Sequence, residues 1–174
     1  MNRKLIPFAT ASSIYEVDPS FYAKLGIKVL ISDLDNTLDA YDVREPGPRA
    51  FSYKKRLDEA GIELYIGSNN TSRRVTRYAE LLGVPCLSRL LKPFPHRLRR
   101  FLKRRGLKPS EVMMVGDQVM TDVKCSVGAG VRIILTEPLT DRDSWVSWFN
   151  RHLEKPIREK IEQGHLSPDW REIS

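Results

Sequence analysis

Short apolar runs that end in polar residues are the feature that most constrains the fold of this 174-residue chain. The first run, residues 29–31, consists of Val, Leu and Ile and is soon followed by Asp33 and Asp35. Such a run predicts a buried strand of a parallel sheet, and open α/β sheets bind their ligands at the carboxyl ends of the strands. The sequence therefore predicts two carboxylates in a crevice at the edge of a sheet.

This acid pair also indicates a particular chemistry. Two carboxylates this close repel each other unless one takes up a proton or a divalent cation joins them. The pair therefore favours a hard metal ion with oxygen ligands. The same D-x-D pattern also occurs in solvated turns, so it does not identify a site by itself.

Further polar side chains follow strand-like or apolar segments later in the chain. They are Ser68, Asn69, Lys92, Asp117 and Asp122. Hydroxyl and amide groups can donate to phosphate oxygens, and a lysine can neutralise phosphate charge. Because each of these residues falls at a predicted strand end or in the loop after it, we expect one site to contain them all.

The ordered set resembles the four motifs of the haloacid dehalogenase superfamily of phosphatases. The motifs are D-L-D-N-T-L from Asp33, S-N-N from Ser68, K-P-x-P from Lys92 and G-D-Q-x-x-T-D ending at Asp122. The match spans residues 28–135 and looks like the YqeG-like group of subclass IIIA, which also includes phosphatidylglycerophosphate phosphatases. The resemblance implies an α/β fold with a doubly wound, mainly parallel sheet and helices on both faces.

The resemblance also implies roles for these residues. Asp33 is the expected nucleophile and forms an aspartyl-phosphate, while Asp35 protonates the leaving alcohol and then activates water. Mg²⁺ is the expected cofactor, held by Asp33, Asp117 and the backbone carbonyl of Asp35. Lys92 and the Ser68 hydroxyl are expected to contact the transferring phosphate oxygens.

Three residues of the motifs have supporting roles in this prediction. Asn69 is an additional expected substrate ligand, beside Ser68. Thr37 is expected to steady the turn after the acid pair. Asp122 is expected to orient Lys92 or a metal-bound water.

The order of the motifs separates this chain from receiver domains of two-component signalling. Receivers also phosphorylate an aspartate beside acids, a hydroxyl and a lysine. In a receiver all the acids precede the hydroxyl and the lysine, whereas here Asp117 follows Lys92. The order therefore favours a phosphatase.

The spacing of the motifs leaves no room for the cap domain that such phosphatases usually carry. The residues from Asp33 to Ser68 suffice for one loop, one helix and one strand, and those from Ser68 to Lys92 for one helix and one strand. The crevice is therefore expected to be open to solvent. An open site favours a large or surface-bound phosphate, or a neighbour that acts as a lid.

Positive charge is concentrated in one part of the chain, whose formal net charge is +7. No acid lies between Glu80 and Glu111, where nine basic residues occur: Arg89, Lys92, Arg97, Arg99, Arg100, Lys103, Arg104, Arg105 and Lys108. Leu98, Phe101 and Leu102 recur at helical spacing, which predicts an amphipathic helix with the arginines outside. Such a face often contacts only solvent. The functional alternatives are that it binds an anionic membrane or RNA.

Helices are expected over Arg49–Ala60, Ser72–Leu82, Pro95–Arg105 and Thr121–Val127, each ended by a following glycine. A distinct tail follows the last core strand. In it an apolar stripe of Trp145, Trp148, Phe149 and Leu153 either packs on the sheet or forms an interfacial helix. We expect a single domain over residues 1–174, with a core of about 28–135 and a helical tail of about 141–174.

Two cysteines and the absence of a long apolar segment suggest the compartment. Cys86 and Cys125 are typical of a reducing cytoplasm rather than of a disulfide framework. No segment is long enough to span a bilayer, so any membrane contact is expected to be peripheral.

The favoured function is a magnesium-dependent phosphatase acting on phosphatidylglycerophosphate at the cytoplasmic membrane face. One alternative is a phosphatase of soluble nucleotide or sugar phosphates. Another is an RNA- or ribosome-associated binding factor with weak or no catalysis. The sequence leaves the leaving alcohol and the oligomeric state open.

Overall fold

A computed structural model describes residues 5–69, 72–140, 155–161, 163 and 166–173. Six parallel strands form one sheet in the order β1-β6-β5-β2-β3-β4. The strands are β1 (Ala9–Ala11), β2 (Val29–Ser32), β3 (Glu63–Gly67), β4 (Cys86–Leu87), β5 (Val112–Gly116) and β6 (Arg132–Thr136). All residues of the central strands β2 and β5 are buried, as expected of a parallel sheet covered on both faces.

Helices cover both faces of this sheet. They are α1 (Pro19–Lys24), α2 (Pro48–Glu59), α3 (Arg73–Leu82), α4 (His96–Arg105), α5 (Lys124–Ala129) and α6 (Trp170–Ile173), with residues 155–161 also helical. One apolar cluster joins α1, α2 and α3 to the sheet, and a second cluster joins α4, α5 and residues 155–161 to its other face. The predicted doubly wound α/β fold is confirmed.

Alternation along the strands assigns residues to the two clusters. Leu30 of β2 belongs to the cluster with α1 to α3, whereas Val29 and Ile31 belong to the cluster with α4 and α5. In α4, Leu98 and Leu102 are buried and the basic residues face outwards. The predicted amphipathic helix is therefore present.

The order of the strands creates a crevice at the centre of the sheet. From β2 the chain runs outwards through β3 to β4 and then returns to β5 on the opposite side of β2. The carboxyl ends of β2 and β5 flank this switch point, where open α/β sheets bind ligands. Among the described residues, α2 is the only helix between β2 and β3, and α3 the only one between β3 and β4, so neither connection holds an inserted cap domain.

The helix expected over Thr121–Val127 differs from the observed one. A π-helical turn, Val119–Val123, precedes α5, which continues past Gly128 and ends at Gly130 with a φ of 77°. The predicted stop at Gly128 is therefore wrong. A methyl carbon at Gly128 would lie 3.1 Å from the side chain of Pro95, so this glycine allows close packing instead of ending the helix.

The two ends of the described chain meet at the outer edge of β1. The N–H of Thr10 donates to the carbonyl of Pro168 at 2.9 Å, and Trp170 packs edge-on against Phe21 with ring centres 5.6 Å apart. The predicted stripe from Trp145 to Leu153 lies outside the described residues. None of the described helices has the length and apolar character needed to cross a membrane.

Candidate active site

The carboxylates of the first and last motifs lie together because β2 and β5 are adjacent strands. Ser32 is in register with Val115, and the N–H of Asp33 donates to the Val115 carbonyl at 2.8 Å. Asp33 and Asp117 thus follow two neighbouring strand ends. Both residues are buried, with 7% and 0% of their surface exposed.

Lys92 connects Asp33 to a second carboxylate. Its Nζ contacts Oδ1 of Asp33 and lies 2.7 Å from Oδ1 of Asp122. Desolvation by burial raises the pKa of Asp33 to about 7, although the positive charge of Lys92 acts to lower it. Burial alone would lower the pKa of Lys92, but the charges of Asp122 and Asp33 raise it overall. Lys92 is therefore a buried cation beside the expected nucleophile.

The loop that carries Lys92 is held by Asn69. The Asn69 amide donates to the carbonyl of Lys92 at 2.7 Å, and the N–H of Lys92 donates back to Asn69 Oδ1 at 2.7 Å. Ser68 is buried, and its carbonyl accepts the N–H of Leu90 at 3.1 Å. The side chain of Asn69, which was predicted to bind substrate, thus joins the second motif to the third.

Asp122 approaches Lys92 across a glycine. The N–H of Gln118 donates to Oδ2 of Asp122 at 3.1 Å. A methyl carbon added to Gly116 would lie 2.6 Å from Cβ of Asp122, which is too close for any side chain. The Gly-Asp pair of the fourth motif therefore leaves the space in which Asp122 meets the lysine.

Asp117 is held through both its side chain and its backbone. The hydroxyl of Thr37 donates to its Oδ1 at 3.3 Å, and the guanidinium of Arg158 donates to its backbone carbonyl. Arg158 also forms an ion pair with Glu137 at 3.4 Å. Sequence reasoning missed Arg158 because it lies far from the four motifs and in no pattern that indicates contact with them.

Asp35 occupies a different environment from Asp33. Its side chain is 28% exposed and its Oδ1 contacts the guanidinium of Arg74, which also donates to the carbonyl of Val43 at 2.7 Å. The next residue, Asn36, has a φ of 60° and turns the chain away from the strand direction. Arg74 was also missed, although its place in the first turn of a helix after a strand end was a usable signal.

The buried charges fit a divalent cation. In the part of the chain that the structure describes, the buried charged residues are three carboxylates and one lysine: Asp33, Asp117, Asp122 and Lys92. This excess of negative charge, on hard oxygen ligands, suits Mg²⁺. Within the same residues, no three His, Cys, Asp or Glu side chains form a metal cluster. The predicted ligand set needs only two carboxylates and the backbone carbonyl of Asp35.

A family model for haloacid dehalogenase-like hydrolases matches residues 8–130. The chain belongs to this family. A relative from Bacillus subtilis (strain 168), named Probable phosphatase YqeG, is 31% identical over 173 residues, which cover 99% of this chain and 99% of the relative. The predicted family is thus confirmed, and this haloacid dehalogenase-like hydrolase is an enzyme that hydrolyses phosphoric monoesters.

Solved structures of other proteins share the fold of this chain. A hypothetical protein from Xanthomonas campestris aligns with a TM-score of 0.54 and 15% identity, over 83% of this chain and 80% of that one. The cobalt-bound deoxy-D-mannose-octulosonate 8-phosphate phosphatase from Haemophilus influenzae aligns with a TM-score of 0.50 and 18% identity, over 83% and 99%. At these identities the likeness concerns the fold alone.

Proposed function

We propose that the protein is a magnesium-dependent phosphatase that acts on phosphatidylglycerophosphate at the cytoplasmic face of a membrane. The family gives the reaction class. The observation that carries the substrate proposal is an exposed basic and apolar surface beside the loop of Lys92. The free thiols Cys86 and Cys125 are in keeping with a reducing compartment.

The first half of the proposed reaction forms an aspartyl-phosphate. Asp33 attacks the phosphorus atom, and the bond between phosphorus and the oxygen of the alcohol breaks. Lys92, in contact with Asp33, neutralises negative charge that would otherwise repel the attacking carboxylate. The Ser68 hydroxyl donates to a phosphate oxygen in this proposal.

Asp35 moves the protons of both half-reactions. It donates a proton to the leaving oxygen and later accepts one from the water that hydrolyses the aspartyl-phosphate. Its 28% exposure leaves it open to an alcohol that enters from solvent, in contrast to the buried Asp33. Arg74 holds its carboxylate in place.

The carboxylates of Asp33 and Asp117, with the backbone carbonyl of Asp35, would hold Mg²⁺. The ion, when bound, supplies positive charge that offsets the phosphate and the surplus of buried carboxylates. Thr37 and Arg158 fix Asp117 through its carboxylate and its backbone carbonyl. Asp122 positions Lys92.

The surface beside the site combines arginines with exposed apolar side chains. Phe94 and Leu91, close to Lys92 in the chain, are 61% and 39% exposed. A cavity of about 270 Å³ lies next to them; it is lined by Leu87, Ser88, Arg89, Leu90, Arg97, Arg100, Phe101 and Arg104. Because α4 begins just after the Lys92 loop, this surface adjoins the crevice. Apolar side chains ringed by arginines suit the boundary of an anionic bilayer.

A phosphate-release screen with Mg²⁺ tests the proposal. The substrates are nucleotide phosphates, sugar phosphates and phosphatidylglycerophosphate, the last in detergent and in anionic vesicles, with Asp33→Asn as the blank. We expect the highest kcat/KM for the lipid. A higher value for a soluble phosphate would overturn the lipid assignment. Absence of release from every substrate, together with RNA binding that survives in Asp33→Asn, would favour the binding-factor alternative.

A further inference from the structure

A second cavity, of about 630 Å³, opens beside Asp35 and is lined by Arg44, Glu45, Ser72, Arg73, Arg74 and Arg77. We refer to it as the arginine cleft. Its walls come from the loop between β2 and α2 and from the first turns of α3, both at the sheet edge that carries the acids. The cleft is distinct from the basic surface of α4.

Charge in the arginine cleft is unbalanced. Arg77 pairs with Glu45 at 2.9 Å, and Arg74 pairs with Asp35. Arg44 and Arg73 are exposed, and neither forms an ion pair with a carboxylate among the described residues. The cleft therefore presents two exposed guanidinium groups in addition to the ion-paired Arg74 and Arg77.

The arginine cleft meets the proposed reaction at Asp35. The carboxylate of Asp35 is assigned to protonate the leaving oxygen, and it contacts a cleft residue, Arg74. Lys92 contacts the other acid, Asp33, and so lies on the phosphoryl side of the site. In the proposed reaction the leaving alcohol takes its proton from Asp35, so its substituents would lie on the side of the cleft.

We propose, resting on the proposed function, that the arginine cleft binds an anionic group carried by the leaving alcohol, of the phosphodiester class. Guanidinium groups suit this ligand because their paired N–H donors match two non-bridging phosphate oxygens. Arg44 and Arg73 contact the diester, while Arg74 positions Asp35. Alcohols with a second anion are thereby selected over neutral alcohols.

Kinetics on three substrates test this assignment. The first substrate, glycerol phosphate, lacks a second anion. The second, glycerophosphoglycerol phosphate, carries a phosphodiester and is soluble. The third, short-chain phosphatidylglycerophosphate, carries the same phosphodiester on a lipid. In Arg44→Gln/Arg73→Gln, kcat/KM should fall roughly 10- to 100-fold for both diester substrates. It should stay within about twofold for glycerol phosphate, since that substrate leaves the cleft empty.

The matched control is Lys24→Gln/Lys55→Gln, which removes two exposed positive charges near the opposite edge of the sheet. All its rates should equal those of wild type. Equal losses on all three substrates, or no loss on the diesters, would overturn the proposal. A loss confined to the lipid substrate would overturn it too, since the cleft would then contact a membrane instead of the alcohol.

A binding measurement separates this proposal from the proposed function. Glycerophosphoglycerol carries the phosphodiester but no monoester, so its affinity, measured by NMR titration, needs no catalysis. The affinity should fall roughly 10- to 100-fold in the Arg44/Arg73 variant and stay unchanged in the lysine control. Equal binding by variant and wild type refutes the cleft assignment. Inactivity of the wild-type enzyme on phosphatidylglycerophosphate, with intact selective binding, refutes only the proposed function.

Discussion

The site has two regions that differ in burial. One is the buried triad of Asp33, Lys92 and Asp122, and the other is the partly exposed pair of Asp35 and Arg74. Side chains of the triad are 1–10% exposed, whereas those of the pair are 18% and 28% exposed. The phosphoryl group is the same in every phosphate monoester, but the alcohol varies. In the proposed reaction, the buried triad meets the constant part of the substrate and the more exposed pair meets the variable part.

The backbone accounts for this difference between Asp33 and Asp35, which are two positions apart. Asp33 is still hydrogen-bonded to β5, so its side chain remains in the sheet environment. Asn36, with its φ of 60°, turns the chain just beyond Asp35. Two acids from one strand end therefore meet different cations.

The largest expected effect tests the separate roles of the two acids. Asp33→Asn and Asp35→Asn should each lower steady-state phosphate release by roughly 10²- to 10⁴-fold or more, since one lacks a nucleophile and the other a proton carrier. With nitrophenyl phosphate, whose leaving group needs no proton, Asp35→Asn should still release one burst of nitrophenol. Asp33→Asn should show no burst. Identical pre-steady-state traces for the two variants would contradict the separate roles of Asp33 and Asp35.

A somewhat smaller effect separates the cation of the triad from the proposed metal ligand. Lys92→Ala and Asp117→Asn should each reduce kcat/KM by roughly 10²- to 10³-fold. Excess Mg²⁺ should restore part of the Asp117→Asn loss, because that variant weakens metal binding, and little of the Lys92→Ala loss. Magnesium titrations that superimpose for the two variants would contradict these roles.

The surface of α4 gives an effect that should spare the triad. Arg97→Gln/Arg100→Gln/Arg104→Gln should weaken attachment to anionic vesicles by about two orders of magnitude at low salt, since each charge contributes about 1 kcal/mol near such a membrane. Vesicle sedimentation measures this attachment. Hydrolysis of a soluble aryl phosphate is the internal control and should not change. Full vesicle binding by this variant would leave the α4 surface as a solvated face.

The smallest effect concerns the space that Gly116 leaves for Asp122. Gly116→Ala should displace the Asp122 carboxylate from Lys92 and lower kcat roughly tenfold, with a loss of about 1–3 kcal/mol in the free energy of unfolding. Gly47→Ala, with a φ of −87° and nothing within 4 Å of the added carbon, is the control for adding a methyl group without a clash. Wild-type kcat in Gly116→Ala would show that the triad tolerates displacement of Asp122.

Most of the sheet and the gathering of the site could be predicted from the sequence. Buried parallel strands are continuous apolar runs, and their carboxyl ends share one edge of the sheet. The residues that follow these strands therefore come together at that edge, regardless of the conformation of the loops. Ser68, Lys92 and Asp117 are brought to that edge in this way. The prediction needed only strand ends and motif order.

The partners of the acids could not be predicted in the same way. Arg74 and Arg158 reach Asp35 and Asp117 through the packing of helices, which no short-range spacing encodes. The end of α5 was misplaced because Gly128 and Gly130 are equivalent by residue type, and only tertiary packing against Pro95 distinguishes them. Strand β1 is three residues long and depends on β6 for its pairing.

The closure of the β1 edge by residues 168–169 affects how the chain can fold while it is being synthesised. Ala9 is in register with Ile134, and Thr10 also bonds to Pro168, so the first strand emerges long before either neighbour exists. Arg158 likewise reaches Asp117 only after most of the chain has been made. Such distant pairings are slow to form and leave the strand edge exposed to aggregation meanwhile. In a nascent chain the edges of β1 therefore stay unpaired until β6 and residues 168–169 have been made.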